Sequence, residues 1–173
     1  MEIVENLEQW RAAFRDGWFA HYKKTGELYW RIYARPRNRT APSGPAVDLA
    51  RSRLMLISTA GGHLKDSQEP FDAASKLGDY TIRLFPHTTP FEAIAYAHDH
   101  YDHAAVNADP QVLLPLQHLR DMVSEGKIGE LAPSVASFSG YQPDVGRVLE
   151  ETIPAILEVA RKEEVQAALL VPA

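Results

Sequence analysis

The sequence predicts an α/β protein of three layers with a largely parallel sheet, preceded by an N-terminal helical extension. Two observations carry this. Short continuous apolar runs at residues 54–59, 135–140 and 167–171 have the character of strands covered on both faces. Between them lie longer stretches with apolar residues every three or four positions, the period of helices lying on a sheet. Alternation of the two patterns, with no internal repeat, is the arrangement that right-handed crossovers produce.

Taken in order, Leu7, Trp10, Phe14 and Trp18 recur at helical spacing from Ile3 onward, and the helix should stop before Gly26. With Phe19 and Tyr22 they form an aromatic stripe, which at this spacing is a packing face. Residues 35–45 are basic and then rich in Pro and Gly, hence an extended, solvated arm. Residues 1–46 therefore read as helix and arm, and 47–173 as the α/β domain. Strand 54–59 runs into Ala60-Gly61-Gly62-His63, where paired glycines allow a tight turn and close approach of a ligand. Residues 80–86 alternate like a half-buried strand, and 91–97 form a further apolar strand. Asp109-Pro110 marks a turn, and Leu116, Leu119, Met122 and Val123 form a helix closed by Gly126. Asp144 is placed to cap a helix with apolar face Val145, Val148, Leu149, Ile153, Ile156 and Leu157, kinked at Pro154. The chain then reaches the apolar strand 167–171.

Composition narrows the function. With 173 residues there is room for one well-cored domain. A formal net charge of −5 argues against a nucleic-acid partner. No apolar run is long enough to cross a bilayer, and the first residues lack the basic start of a signal peptide, so a cytoplasmic location is expected. The sequence has no cysteine, which excludes thiolate metal ligands and thiol nucleophiles from these residues.

The densest chemistry is His98-Asp99-His100-Tyr101-Asp102-His103, at the end of the predicted strand 91–97. Imidazole and carboxylate are the groups that ligate Zn, Fe or Mn and move protons near neutral pH. His98, His100, Asp102 and His103 are the candidate ligands of a divalent metal. In an extended segment the first three share a face, so a turn is needed to bring in His103. In open parallel sheets ligands bind beyond the carboxyl ends of the strands. That rule gathers the candidate catalytic residues His63, His100, Asp102 and His103 with the candidate substrate-binding residues Gly61, Gly62, Tyr101 and Tyr141. A polar loop that caps and hydrogen-bonds locally is the alternative for the cluster. A free edge left by strand 167–171 points to a homo-oligomer.

Two family resemblances follow from these residues. His98-x-His100-x-Asp102-His103 resembles the zinc motif of the metallo-β-lactamase superfamily, which implies a metal-bound hydroxide as nucleophile. The upstream strand motif and the downstream ligands of that family have no counterpart here. A longer resemblance begins with Ile57-Ser58-Thr59-Ala60-Gly61-Gly62-His63-Leu64-Lys65-Asp66-Ser67-Gln68-Glu69-Pro70-Phe71-Asp72 and Gly78-Asp79-Tyr80-Thr81-Ile82-Arg83. It continues through His100-Tyr101-Asp102-His103, Asn107-Ala108-Asp109-Pro110 and Leu119-Arg120-Asp121-Met122-Val123. Its last blocks are Glu125-Gly126-Lys127-Ile128-Gly129-Glu130-Leu131-Ala132-Pro133 and Val165-Gln166-Ala167-Ala168-Leu169-Leu170-Val171-Pro172.

These blocks resemble the glycine/sarcosine/betaine/D-proline reductase selenoprotein B family. The resemblance implies reductive carbon–nitrogen cleavage in a small amine or amino acid by a selenolate or thiolate, with electrons returned through a dithiol partner. In longer relatives the Sec or Cys element follows the strand that here reads Ala167-Ala168-Leu169-Leu170-Val171-Pro172. Three readings account for the missing nucleophile. They are a natural short form that binds a ligand or partner, a thiol-bearing second polypeptide, and a selenocysteine codon read as stop. A metal-dependent enzyme and a non-catalytic binding or assembly protein are the other two function classes.

Overall fold

The computed structural model describes residues 4–40, 43–97 and 101–173. The chain divides into two compact units, Met1–Pro45 with Asp144–Gly146, and Ala46–Pro143 with Arg147–Ala173.

In the first unit, Leu7–Ala13 (α1) continues through a π-helical stretch, Phe14–Phe19, into Ala20–Thr25 (α2), which ends at Gly26 in the left-handed region. The expected stripe is a packing face. Trp10, Phe14 and Trp18 are buried, Phe14 stacks on Trp10 and Trp18, and Tyr33 meets all three rings edge-on. The basic arm is anchored at several points. Ala34 O accepts from the Trp10 indole at 2.7 Å, Asn38 Oδ1 from Glu5 N, and the Glu5 carboxylate from Arg39 N and Thr40 N.

The second unit is a mixed α/β body around one sheet. Its strands are Arg53–Ser58 (β1), Ile82–Pro86 (β3), Glu130–Leu131 (β5), Ser134–Phe138 (β6) and Ala167–Val171 (β7). β1 is central and pairs in parallel with β5, β6 and β7, while β3 pairs antiparallel with β6. Register offset between β1 and its neighbour changes at Ala132-Pro133: Leu54 lies opposite Leu131, yet Ile57 lies opposite Ala136. β5 and β6 are thus one strand interrupted by a two-residue bulge, with proline where the ladder is already broken.

One face of the sheet presents Leu54, Leu56, Phe85 and Val135 to Leu116 and Leu119 of helix Leu116–Ser124 (α4) and to Ile94. The other presents Met55 and Ala136 to Ile156, Val159 and Ala160 of helix Ile153–Lys162 (α6). Each fully covered Leu, Phe or Val contributes about 1.5–3 kcal/mol relative to exposure, so these two interfaces hold the layers together. The predicted kink at Pro154 takes a specific form. Val145–Arg147 (α5) leads through a π-helical stretch, Val148–Thr152, into α6. The wider turn accommodates a proline that has no N–H to donate and crowds the preceding turn. Asp144 caps as expected, its Oδ1 accepting from Gly146 N at 2.9 Å.

Two expectations are corrected. Segment 91–97 does not join the parallel sheet: Ile94–Tyr96 (β4) pairs antiparallel with Gly62–Leu64 (β2) in a separate two-stranded sheet. β7 is not covered on both sides. It pairs with β1 alone among the described strands, and its middle three residues are exposed, Leu170 to 58%. An apolar run states what a strand can tolerate, and both a central and an uncovered edge strand satisfy it. No helix of the described residues is long and apolar enough to cross a membrane.

Candidate functional site

The carboxyl ends of β1, β6 and β7 meet around residues 59–61. Thr59 N donates to Val171 O, Gly140 N to Thr59 O, and Gly61 N to Phe138 O, while Ala60 bridges Ser139. Gly61 makes this meeting possible. Its φ of +67° is in the left-handed region, which a side chain disfavours. The chain reverses there into β2, which pairs with β4 in the register Gly62 to Tyr96 and His63 to Ala95.

The segment bearing the histidine cluster is tied back to the same turn from both sides. Ala97 N donates to Gly61 O at 3.0 Å, and the Tyr101 hydroxyl donates to Ala60 O at 3.1 Å. Between these bonds, His98 and His100 lie outside the described residues. Asp102 is the N-cap of helix His103–Ala108 (α3), accepting from Ala104 N at 2.9 Å. His103 stands at the first helical position, with its ring stacked on Tyr101 at 4.5 Å between centroids.

His103 lines an open cavity of about 400 Å³ together with Lys65, Glu92, Tyr96 and Asn107, with Phe91 and Val106 among its apolar walls. Its polar groups come from three places: the end of β2, the segment leading through β4, and α3. Lys65 Nζ is steadied by Glu92 O at 2.5 Å. The Tyr96 hydroxyl is buried and has no hydrogen-bond partner among the described residues. Burial, with Tyr101 nearby, pushes that phenol up to about 12, and burial does the same for Tyr101. Both are therefore neutral donors at physiological pH.

The sequence-predicted site residues separate into groups. Gly61, Gly62, Tyr101, Asp102 and His103 belong to this turn or to the cap of α3. His63 is buried on β2, its Nδ1 3.3 Å from Gly61 O. By strand alternation its side chain shares a face with Ala95, whereas Gly62 shares one with Tyr96. Tyr141 is turned to another loop, donating to Lys76 O at 2.9 Å beside Gly78. Among the described residues no three His, Asp or Glu side chains are arranged to hold a metal ion, and Asp102 serves the helix cap.

Lys65, Glu92, Tyr96 and Asn107 are the lining residues that motif reasoning missed. Asn107 had a signal, since it follows His103 by four positions and helical geometry puts the two on one face. Tyr96 had one too, since it stands two positions before His98 in the sequence.

A glycine turn at the carboxyl ends of parallel strands lies beside a polar turn and a donor-lined cavity, at the edge where open α/β sheets in general take their ligands. The family model for glycine/sarcosine/betaine reductase selenoprotein B matches residues 22–173, and the chain belongs to that family. It is 32% identical to D-proline reductase subunit gamma of Acetoanaerobium sticklandii over 123 residues, 71% of this chain and 49% of that protein. Identity is 30% to sarcosine reductase complex component B subunit beta of Peptoclostridium acidaminophilum, covering 72% of this chain and 29% of the relative. It is also 30% to glycine reductase complex component B subunit gamma of Symbiobacterium thermophilum, covering 75% and 33%. The chain thus spans about half the length, or less, of these relatives. No solved structure matches it.

Proposed function

We propose that this chain is the substrate-holding portion of a component-B-type reductase, binding a small amine or amino acid in the cavity beside the Tyr101–His103 turn. The observation that carries the proposal is the cavity lined by Lys65, Tyr96, His103 and Asn107, next to a buried Tyr96 hydroxyl that has no hydrogen-bond partner among the described residues. A buried phenol without an acceptor costs about 1–3 kcal/mol, and a ligand oxygen would remove that cost. Names of the relatives support the substrate class, since they are reductases of D-proline, sarcosine and glycine.

These 173 residues contain no cysteine, so the attacking selenolate or thiolate comes from outside them. In the proposed reaction that nucleophile bonds to the substrate carbon as the carbon–nitrogen bond breaks. The nitrogen leaves with its electron pair and takes up a proton, and a dithiol later supplies two electrons to release the product. This chain's part is to orient the substrate through Lys65, Tyr96 and Asn107 and to offer His103 as the proton donor.

Thermal-shift and calorimetric titrations with glycine, sarcosine, betaine and D-proline test the reading. One of the four should raise the melting temperature of the wild type, and His103→Ala and Tyr96→Phe should each weaken its binding about tenfold or more. No shift with any of them, or a shift that both variants leave intact, would overturn it.

A further inference from the structure

Helix α3 carries two lining residues of the cavity, His103 and Asn107, one turn apart. It is six residues long, and a helix that short does not recover the cost of forming its first turn in water. Its position must come from what holds it. Asp102 caps its first turn, and Asp109 caps the 3₁₀ turn Pro110–Val112 that follows, accepting from Gln111 N at 2.9 Å. These bonds are local. They shape residues 101–113 without deciding where the segment lies on the domain.

That is decided at the end of β1. At the front of the segment, the Tyr101 hydroxyl donates to Ala60 O at 3.1 Å. At its back, Leu113 O accepts from the Ser58 hydroxyl at 3.0 Å, and that hydroxyl accepts in turn from Ala60 N at 3.3 Å. The carbonyl of Ala60 thus holds one end directly, and its amide holds the other through Ser58. Ser58 and Ala60 are fully buried, and Tyr101 packs against the small core that Ala60, Val106 and Leu113 form. Hydrogen bonds in such surroundings are costly to leave unmade.

Tyr101 also reaches the cavity wall by its other surface. Its ring lies on the His103 imidazole, with centroids 4.5 Å apart and planes 16° from parallel. One side chain therefore touches the glycine turn through its hydroxyl and His103 through its ring. With the hydroxyl given to Ala60 O, its effect on the cavity passes through His103.

We infer that Ser58 and Tyr101 form a two-ended clasp that positions His103 and Asn107 at the cavity, Tyr101 being a positioning residue and not a ligand contact. Release of either end frees a helix too short to stand alone, so α3 opens as one unit. The effect on ligand binding rests on the reading of the cavity given above, whereas the clasp itself is measurable without any ligand.

Nuclear magnetic resonance and amide hydrogen exchange of the full, ligand-free chain test it, followed by calorimetric titration with glycine, sarcosine, betaine and D-proline. In the wild type the face of the Tyr101 ring should shift the His103 ring protons upfield. Tyr101→Phe keeps the ring and removes its bond, while Ser58→Ala releases the other end and alters neither ring. Each should speed exchange of the Val106 and Asn107 amides about tenfold relative to the β1–β6 ladder and reduce the upfield shift, which Tyr101→Leu should abolish. Each should also weaken whichever amino acid the wild type binds about fivefold. Unchanged exchange and His103 resonances in Tyr101→Phe and Ser58→Ala would overturn the clasp, as would altered ones with undiminished affinity. Should Ser58→Ala fail to fold, Tyr101→Phe decides alone. Absence of binding by all four amino acids to the wild type would remove the reading of the cavity, and the ligand-free spectra would still decide the clasp.

Discussion

Tyr96 sets stability against function at the scale of one side chain. Its hydroxyl is buried without a partner among the described residues, so deleting it relieves a desolvation cost. Tyr96→Phe is expected to stabilise the ligand-free protein by about 1 kcal/mol in urea denaturation while weakening ligand binding. A loss of stability would show that the hydroxyl is satisfied in solution. His87 makes a second case. Burial, helped by the charge of Arg120, lowers its imidazole below the ordinary value of 6.5, and its Nδ1 has no partner among the described residues. Because the folded form holds the proton less tightly than the unfolded chain, acid favours unfolding. Stability should fall as pH drops through about 6.5 toward the lower folded value, and His87→Gln should flatten that slope in denaturation curves taken from pH 7.5 to 5.5. Residues of the candidate site were legible only where chemistry was dense: the Tyr101–His103 turn stood out by composition. Lys65 and Tyr96 are ordinary residues whose importance comes from what the β2–β4 pairing puts beside them.

At the scale of elements, several short contacts fasten the far end of the sheet. Glu163, just after α6, accepts from Ser134 N at 3.1 Å and from Ser134 Oγ at 2.6 Å, and its carbonyl accepts from Arg53 Nη1 at 2.5 Å. It thereby links the helix end to β6 and β1. Glu163→Ala should cost about 1–2 kcal/mol, because it strands the Ser134 amide, and Glu163→Gln should recover most of the loss in thermal melts. Strands β1, β3, β6 and β7 and helix α4 were readable because each carries a full period of its pattern. β2 was not, since three residues of Gly-His-Leu are too few to show alternation. β4 was recognised as a strand but assigned to the wrong sheet, because an apolar run does not encode its neighbour. The π-helical stretches at Phe14–Phe19 and Val148–Thr152 left no mark on a pattern read at a period of 3.6.

For the whole molecule, an α/β body with a mostly parallel sheet follows from alternation alone, and the structure agrees. The bulge at Ala132-Pro133 has a wider consequence. It inserts two residues, an even number, so Leu131 and Val135 still face the α4 side of the sheet and Ala132 and Ala136 still face the α6 side. Removing one residue there would act like a frameshift in three dimensions, turning every later side chain of that strand over and sending Val135 toward the wrong helix. Removing both would keep the phase and merely straighten the strand. Length variation at this point should therefore come in pairs, a parity rule imposed by the pleat itself.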